Sequence, residues 1–357
     1  MNPVRNLNFN EEINKSPRKI SNGVKILICT GIFPPDIGGP AQYAKNLREE
    51  FIREKHQVKV MSYKFEKKLP SGLRHCFYFL KIIPLVLRTN LIIALDTFSV
   101  GLPAVCAAKI FRRKIIFRIG GDFLWESYVE RSGNLMPLKK FYETAPILSV
   151  KEKIIFSLTK FVLRNSTALV FSTSWQKEIF EKNYNLNPKK SFIIENFYGK
   201  KIANLGFKEK KFLWAGRPLR LKNLENLKQV FAEAKKENGD IKLEIVSGVS
   251  QDELMQKIQN CYAVILLSIS DVSPNLILEG IMANKPFILT KETGLYGKLK
   301  DIGIFIDPLD GEDIKKKVLF LADDNNYKEY KERVANFNFT HSWKQIAGEF
   351  LEIYKKL

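Results

Sequence analysis

Cysteine and histidine are scarce in this chain, and the scarcity removes several chemistries at once. Cys29, Cys76, Cys106 and Cys261 are scattered with no CxxC pair, which argues against a disulfide framework and fits a reducing cytosol. Each lies in an apolar context and reads as a small buried hydrophobe. His56, His75 and His341 stand too far apart to suggest a metal site, and no HExxH is present. Neither GxGxxG nor GxxxxGK[ST] occurs, so dinucleotide-dehydrogenase and P-loop readings fail. No uninterrupted apolar run is long enough to span a bilayer. The first 22 residues are polar and Asn-rich, unlike a secretory signal. Residues 1–22 are expected to form a disordered tail.

Positive charge is plentiful. A formal charge of +20 and a pI near 9.6 call for an anionic partner: nucleic acid, lipid headgroups or a phosphorylated substrate. A Lys-rich source proteome is the plain alternative. The 45% hydrophobic content supports sizeable cores, and 357 residues suit two domains.

Apolar runs and helical spacings alternate along the chain. Residues 24–30 read as a strand buried on both faces. A loop punctuated by Gly31, Gly38 and Gly39 follows, then helical spacing over residues 41–55 and a strand at 58–62. Further strands are expected at 91–95, 114–118 and 168–172, with the clearest helix at 151–164. Near residues 197–207 the pattern lapses into a Gly- and Lys-containing linker. A second series then begins, with strands at 211–215, 242–246, 263–267 and 286–290 and helices at 224–237, 251–259 and 274–283. The fold class is therefore α/β, with two doubly wound Rossmann-like domains. The expected divisions are 23–200, 208–335 and a C-terminal helix within 336–357. A ligand belongs in the cleft, at the carboxyl ends of the strands.

The stretch from Asp271 to Pro286 carries the most chemistry. Ser273 is expected as N-cap and Pro274 as the first helical residue. Asp271 then sits in the preceding loop and Glu279 nearly two turns inside the helix. The free N–H groups of such a helix start suit an anionic ligand, and the acids suit sugar hydroxyls. Gly216-Arg217 with Lys222 follows the first strand of the second series. Gly120-Gly121-Asp122 follows the strand at 114–118.

In this order and at these spacings, Gly216-Arg217/Lys222, Asp271/Glu279, Lys285-Pro286 and Thr293-Gly294 resemble the GT-B glycosyltransferases, in particular the large retaining family 4 group. Ile193-Ile-Glu-Asn196 resembles that family's segment before the linker. The resemblance spans about residues 24–357. It implies that Arg217 and Lys222 hold the diphosphate of a nucleotide-sugar and stabilise charge on the leaving phosphate. It implies that Asn275 and Leu276 complete the phosphate site with backbone N–H groups, and that Glu279 takes the ribose hydroxyls. Asp271, where relatives usually carry Glu, would contact the donor sugar. Gly38 and Gly39 would let the backbone approach the donor. Relatives often keep a His near Asp122; here Asp122 is the nearest polar group, with Asp36 and Glu126 as weaker counterparts. The resemblance also implies that the last helix crosses back to the first domain. It implies a retaining transfer in which the departing phosphate helps to deprotonate the acceptor. No Asp-x-Asp motif is present, and no cofactor beyond the nucleotide-sugar co-substrate is expected.

The expected partners are a nucleotide-sugar and a glycan or lipid-linked acceptor, in cell-surface polysaccharide or glycolipid synthesis. Lys64, Lys67, Lys68, Arg74, Lys81 and Arg88 flank an apolar run at 77–87, which suits an anionic membrane surface. The apolar residues themselves suit a helix buried in the domain, and Lys139, Lys140, Lys151 and Lys153 could extend the basic surface. A cytoplasmic protein, peripheral at the inner membrane face, is the expected location. The rival readings are a non-catalytic nucleic-acid-binding α/β protein, supported by charge alone, and a nucleotide-sugar epimerase on the same fold. RNP-like aromatic motifs and zinc-finger spacings are absent.

Overall fold

The computed structural model describes residues 23–70 and 72–357; the tail expected at residues 1–22 lies outside these. Two parallel sheets form in succession. The first series runs β1 (Lys25–Thr30), α1 (Gly39–Arg53), β2 (Gln57–Ser62), α2 (Leu73–Val86), β3 (Leu91–Ala94), α3 (Gly101–Ile110) and β4 (Lys114–Ile119). It continues with α4 (Phe123–Ser132), α5 (Leu138–Thr144), α6 (Val150–Asn165), β5 (Ala168–Phe171), α7 (Ser174–Tyr184) and β6 (Ser191–Ile193). Its strands lie in the order β2-β1-β3-β4-β5-β6.

The second series runs β7 (Lys210–Ala215), α8 (Leu224–Glu237), β8 (Ile241–Val246), α9 (Gln251–Asn260), β9 (Ala263–Leu266), α10 (Asn275–Met282) and β10 (Phe287–Thr290). After these come α11 (Tyr296–Leu299), β11 (Ile304–Ile306), α12 (Gly311–Ala322), α13 (Asp324–Asn336) and α14 (Trp343–Lys356). The order is β11-β10-β9-β7-β8. Both sheets therefore reverse their winding beside their first strand, between β1 and β3 and between β7 and β9. Such a switch point opens a crevice at the strands' carboxyl ends.

Burial explains why the central strands read as unbroken apolar runs. Residues 26–30 of β1 and all of β3, β5, β9 and β10 are buried, because helices cover both sheet faces. The edge strands β2 and β8 are only partly buried and carry Lys and Glu. Short β6 and β11, three residues each, have no counterpart in the strands expected from pattern; three residues give periodicity too little to act on.

In the first sheet α2, α3 and α6 cover one face. The other face meets α1 and α14, where Ile346 and Phe350 share a cluster with Tyr43, Leu47 and Phe51. Ser342 caps α14 and forms a capping box with Gln345. The chain passes between the sheets twice, and the two passages pair backbone to backbone at Tyr198 and His341.

Cysteine burial differs from expectation. Cys29 and Cys261 are core residues and Cys106 is half-buried, but Cys76 is exposed. It lies on the outward side of α2, whose inward side is Tyr78, Ile82 and Val86. That helix thus has apolar residues on both sides, so an apolar context did not imply burial. Lys81 leaves the expected basic surface: it pairs at 2.6 Å with the fully buried Glu66. No helix among the described residues is long and apolar enough to cross a membrane.

Candidate active site

The loops after β7 and β9 meet at the second sheet's switch point. The first ends in a single 3-10 turn, Arg220–Lys222, closed by Asn223 in the left-handed region at φ 55°. That turn aims Lys222 across the crevice, where its Nζ lies 2.6 Å from Asp271 Oδ2. Ser268 donates its hydroxyl to the same oxygen at 3.3 Å. The Asp271 backbone is fixed on both sides: its N–H donates to Glu292 O at 2.9 Å, and its carbonyl accepts from Gly294 N at 3.3 Å.

The start of α10 is one residue later than expected. Pro274, with extended backbone, is the N-cap, and no side chain caps the helix. Ser273 Oγ is buried without a partner. Ser273 thus makes no cap bond, and the extended backbone at Pro274 starts the helix one residue later. Glu279 is consequently little more than one turn inside the helix. The N–H groups of Asn275 and Leu276, the first two helical residues, have no acceptor among the described residues, which leaves an anion-binding helix start.

The first domain supplies the opposite wall. Gly120, Gly121, Asp122, Trp125, Glu126 and Leu138 line a cavity of about 110 Å³ together with Arg217, Lys222, Asp271 and neighbouring loop residues. Asp122 does not offer its carboxylate to that space. It is the N-cap of α4, accepting from Trp125 N at 3.0 Å, and its other oxygen accepts from the Tyr142 hydroxyl at 2.5 Å. Burial pushes its carboxyl up, against the pull of those donors. The Glu126 carboxylate, one turn further along, has no hydrogen-bond partner among the described residues and stands beside Arg217, Lys222 and Asp271. Burial and the neighbouring Asp122 push Glu126 up to about 7 despite the two cations. The first wall's free acid is therefore Glu126.

The remaining expected site residues disperse around this centre. Glu279 lies outside the cavity lining and accepts from Gln251 Nε2 at 2.8 Å. Burial pushes its carboxyl up to about 7. Gly216 follows β7 as expected, but its N–H is already spent on Val246 O at 3.1 Å. Gly38 needs to be glycine, with φ 143° at the N-cap of α1. A Cβ on Gly39 would come within 3.3 Å of Asn275 Nδ2, so this loop touches the α10 start. Asp36 is on the surface, paired with Lys67 at 2.7 Å.

Several groups join the two walls, and of these Asn196 and Asn275 lie in segments that the sequence singled out. Leu138 N donates to Ser270 Oγ at 2.9 Å, and Leu221 N to Glu130 Oε1 at 3.3 Å. Arg118, nearly buried, lies over the Tyr43 ring and donates to Asn196 Oδ1 at 2.6 Å. Asn196 in turn donates to Ser273 O and Asn275 Oδ1, at 3.1 and 3.2 Å. Only the unbroken apolar setting of Arg118 in its strand could have marked it. No group of three or more His, Cys, Asp or Glu suited to a metal ion occurs among the described residues.

The raised carboxyls give a prediction for stability. Folding lifts Glu126 and Glu279 from 4.5 to about 7, so between these values the folded chain holds protons that the unfolded chain has lost. Their contribution is full below pH 4.5 and is lost as pH rises through 7. Glu126→Gln and Glu279→Gln should each stabilise the ligand-free protein at pH 8 by on the order of 1–2 kcal/mol, a rise of a few degrees in melting temperature, and far less at pH 5. Thermal melts at the two pH values test this; an equal shift at both would remove the assignment.

No family model and no curated protein matches the chain. Solved structures do. It is similar to a sucrose-phosphate synthase from Thermosynechococcus elongatus at 14% identity and TM-score 0.67, covering 93% of this chain and 98% of that one. A glycosyltransferase from Rickettsia africae ESF-5 is similar at 13% identity and TM-score 0.62, with 94% and 98% covered. A putative UDP-N-acetylglucosamine 2-epimerase from Listeria monocytogenes is similar at 11% identity and TM-score 0.59, with 94% and 96% covered. At these identities the likeness shows the fold: two Rossmann-like parallel-sheet domains in the GT-B arrangement.

Proposed function

We propose that the chain is a retaining glycosyltransferase of the family 4 type, moving a sugar from a nucleoside-diphosphate sugar to an acceptor hydroxyl. The observation that carries this is the meeting of Arg217 and Lys222 with Asp271 at the switch-point cavity, beside a helix start with two free N–H groups. In this reading the diphosphate lies between the two cations and the amides of Asn275 and Leu276. Charge grows on the departing phosphate as the glycosidic bond breaks, and fixed donors stabilise it without reorganising. Glu279 takes the ribose hydroxyls from the flank of α10. Asp271, held by Lys222, faces the sugar, and the glycine loop at Gly38–Gly39 closes over the donor. Glu126 replaces Asp122 as the first-domain acid able to meet a sugar or acceptor hydroxyl. The acceptor is a glycan or a lipid-linked sugar.

A thermal-shift screen of UDP-, GDP- and ADP-sugars tests the donor site. At a concentration about 100 times Kd the cognate donor should stabilise the protein by about 2.7 kcal/mol, several degrees in melting temperature. No response to any nucleotide-sugar would refute the reading.

An epimerase is the second reading, favoured by two acids, Glu126 and Asp271, facing one small cavity. Incubating the stabilising nucleotide-sugar alone separates the two. A transferase leaves its sugar configuration unchanged without an acceptor, whereas an epimerase produces the epimer.

A further inference from the structure

On the first domain, α2, α3 and α6 lie side by side over one sheet face, with their inward residues in one core. Their outward residues are unusual in two respects. The first is apolar area. Leu73, Leu80 and Leu87 project from one side of α2 and its C-terminal end at intervals of seven residues, and Val150, Ile154 and Phe161 project from α6. All six are exposed, from 36% at Phe161 to 75% at Val150. Seven residues are close to two helical turns, so the three leucines share a stripe. Exposed apolar side chains grouped on one face suit an interaction surface.

The second respect is charge. No acidic residue occurs between Glu66 and Asp96, or between Asp96 and Asp122, so α2 and α3 carry none. The one acid of α6, Glu152, is buried and bonded to Arg131 and Ser149. Lys68, Arg88, Arg112, Lys151, Lys153 and Arg164 are exposed and have no carboxylate partner among the described residues. On the opposite face α1 and α14 set four acids, Glu49, Glu50, Glu349 and Glu352, against six lysines and arginines, whereas α2, α3 and α6 set one acid against seven. The excess positive charge is therefore concentrated where the apolar stripes are.

We propose that the outer face of the α2–α3–α6 layer docks on the headgroup region of an anionic lipid bilayer. Leucine and isoleucine side chains would enter the acyl boundary while the flanking lysines and arginines meet lipid phosphates. Duplex nucleic acid would use the cations and leave the apolar stripes facing water. The topology gives the contact a use. All strands of the first sheet point their carboxyl ends at the cleft, and α2 and α6 each return to a strand's beginning. Leu73 and Val150, at the helix starts, therefore lie toward the cleft end of this face. An acceptor anchored in the bilayer would enter the cleft from the side on which the protein sits.

This contact is separable from sugar transfer, because it is read as binding without turnover. The full chain should co-sediment with vesicles of equimolar phosphatidylcholine and phosphatidylglycerol, about tenfold or more above its binding to phosphatidylcholine alone. The double variant Leu80→Glu/Ile154→Glu should lower binding to the anionic vesicles by about tenfold or more. Lys151→Glu/Lys153→Glu, which touches only exposed lysines, serves as the second variant should the first fail to fold, and it should weaken binding as well. Leu309→Glu, an exposed leucine of the second domain, should bind as the parent does. The proposal is overturned if the parent chain stays in the supernatant, or if both double variants bind unchanged. It is equally overturned if a duplex DNA oligonucleotide binds at this face and the vesicles do not.

Discussion

Lys222→Ala should lower kcat/KM for sugar transfer by about two to three orders of magnitude, the loss typical of removing one preorganised donor to a developing negative charge. The side chain has little freedom to be replaced by another. The turn that carries it is closed by the Lys222 N–H to Leu219 O at 2.9 Å, and Asn223 Nδ2 is fixed on Pro308 O at 2.6 Å. Its Nζ holds Asp271 at 2.6 Å and keeps further hydrogens for a ligand oxygen. Removal has a double effect. The diphosphate loses a cation, and Asp271 keeps only the Ser268 hydroxyl among its side-chain partners, so its charge then repels the phosphate. Stability should change little, by about 1 kcal/mol, because both partners of the ion pair retain contact with solvent. Nucleoside-diphosphate release and a thermal melt on the same sample check both halves. Turnover within about threefold of the parent would remove Lys222 from the phosphate site.

Lys285→Ala should have the largest effect on stability, about 3–4 kcal/mol, with a fall in melting temperature of roughly ten degrees. This lysine is fully buried, and its Nζ donates to Asn204 Oδ1 at 2.8 Å, Gly206 O at 3.1 Å and Cys261 O at 2.8 Å. It thereby ties the segment between the sheets to the start of β9 in the second domain's core. Alanine leaves the buried Cys261 carbonyl and the half-buried Gly206 carbonyl without this donor, while Asn204 Oδ1 keeps the Gly206 N–H, and it opens a cavity the length of the side chain. Lys285→Met fills the volume and should cost less, since it also removes the burial of a charge.

The pH dependence identifies that charge. Burial pulls the Lys285 ammonium down to about 8 from its ordinary 10.5, so between these values the unfolded chain holds the proton and the folded chain does not. Stability from this group is present above 10.5 and is lost as pH falls through 8. The parent should therefore gain on Lys285→Met as pH rises from 8 toward 10.5. A difference between the two that stays constant over that range would show that the ammonium is not desolvated.

Much of the architecture was legible because it is written locally. Buried parallel strands must be apolar on both faces, so β1, β3, β9 and β10 stood out as short continuous runs. Helix α8 was readable over its full length, since its buried face, Leu227, Val230, Phe231 and Ala234, repeats at helical spacing. Three-residue β6 and β11 offered no period. Proline at 274 suggested a helix start correctly but misplaced it by one residue, since serine before proline suits either the cap or the position before it.

The site divides in the same way. The sequence by itself determined that Gly216-Arg217, Lys222 and Asp271 follow strands of one doubly wound series, which brings them to the carboxyl end of one sheet; that β7 and β9 are neighbours came from the structure. It could not determine which first-domain acid faces them. Asp122 and Glu126 both follow Gly120-Gly121, and only the tertiary structure separates them. The shorter side chain reaches back to its own helix N–H groups and to Tyr142, while the longer one, a turn later, projects into the cavity. The links from Arg118 through Asn196 to Asn275 likewise join residues 78 and 79 positions apart, beyond the reach of any local pattern. Strand and helix follow from neighbours along the chain; the direction of a buried polar side chain follows from whichever distant partner offers it the better hydrogen bond.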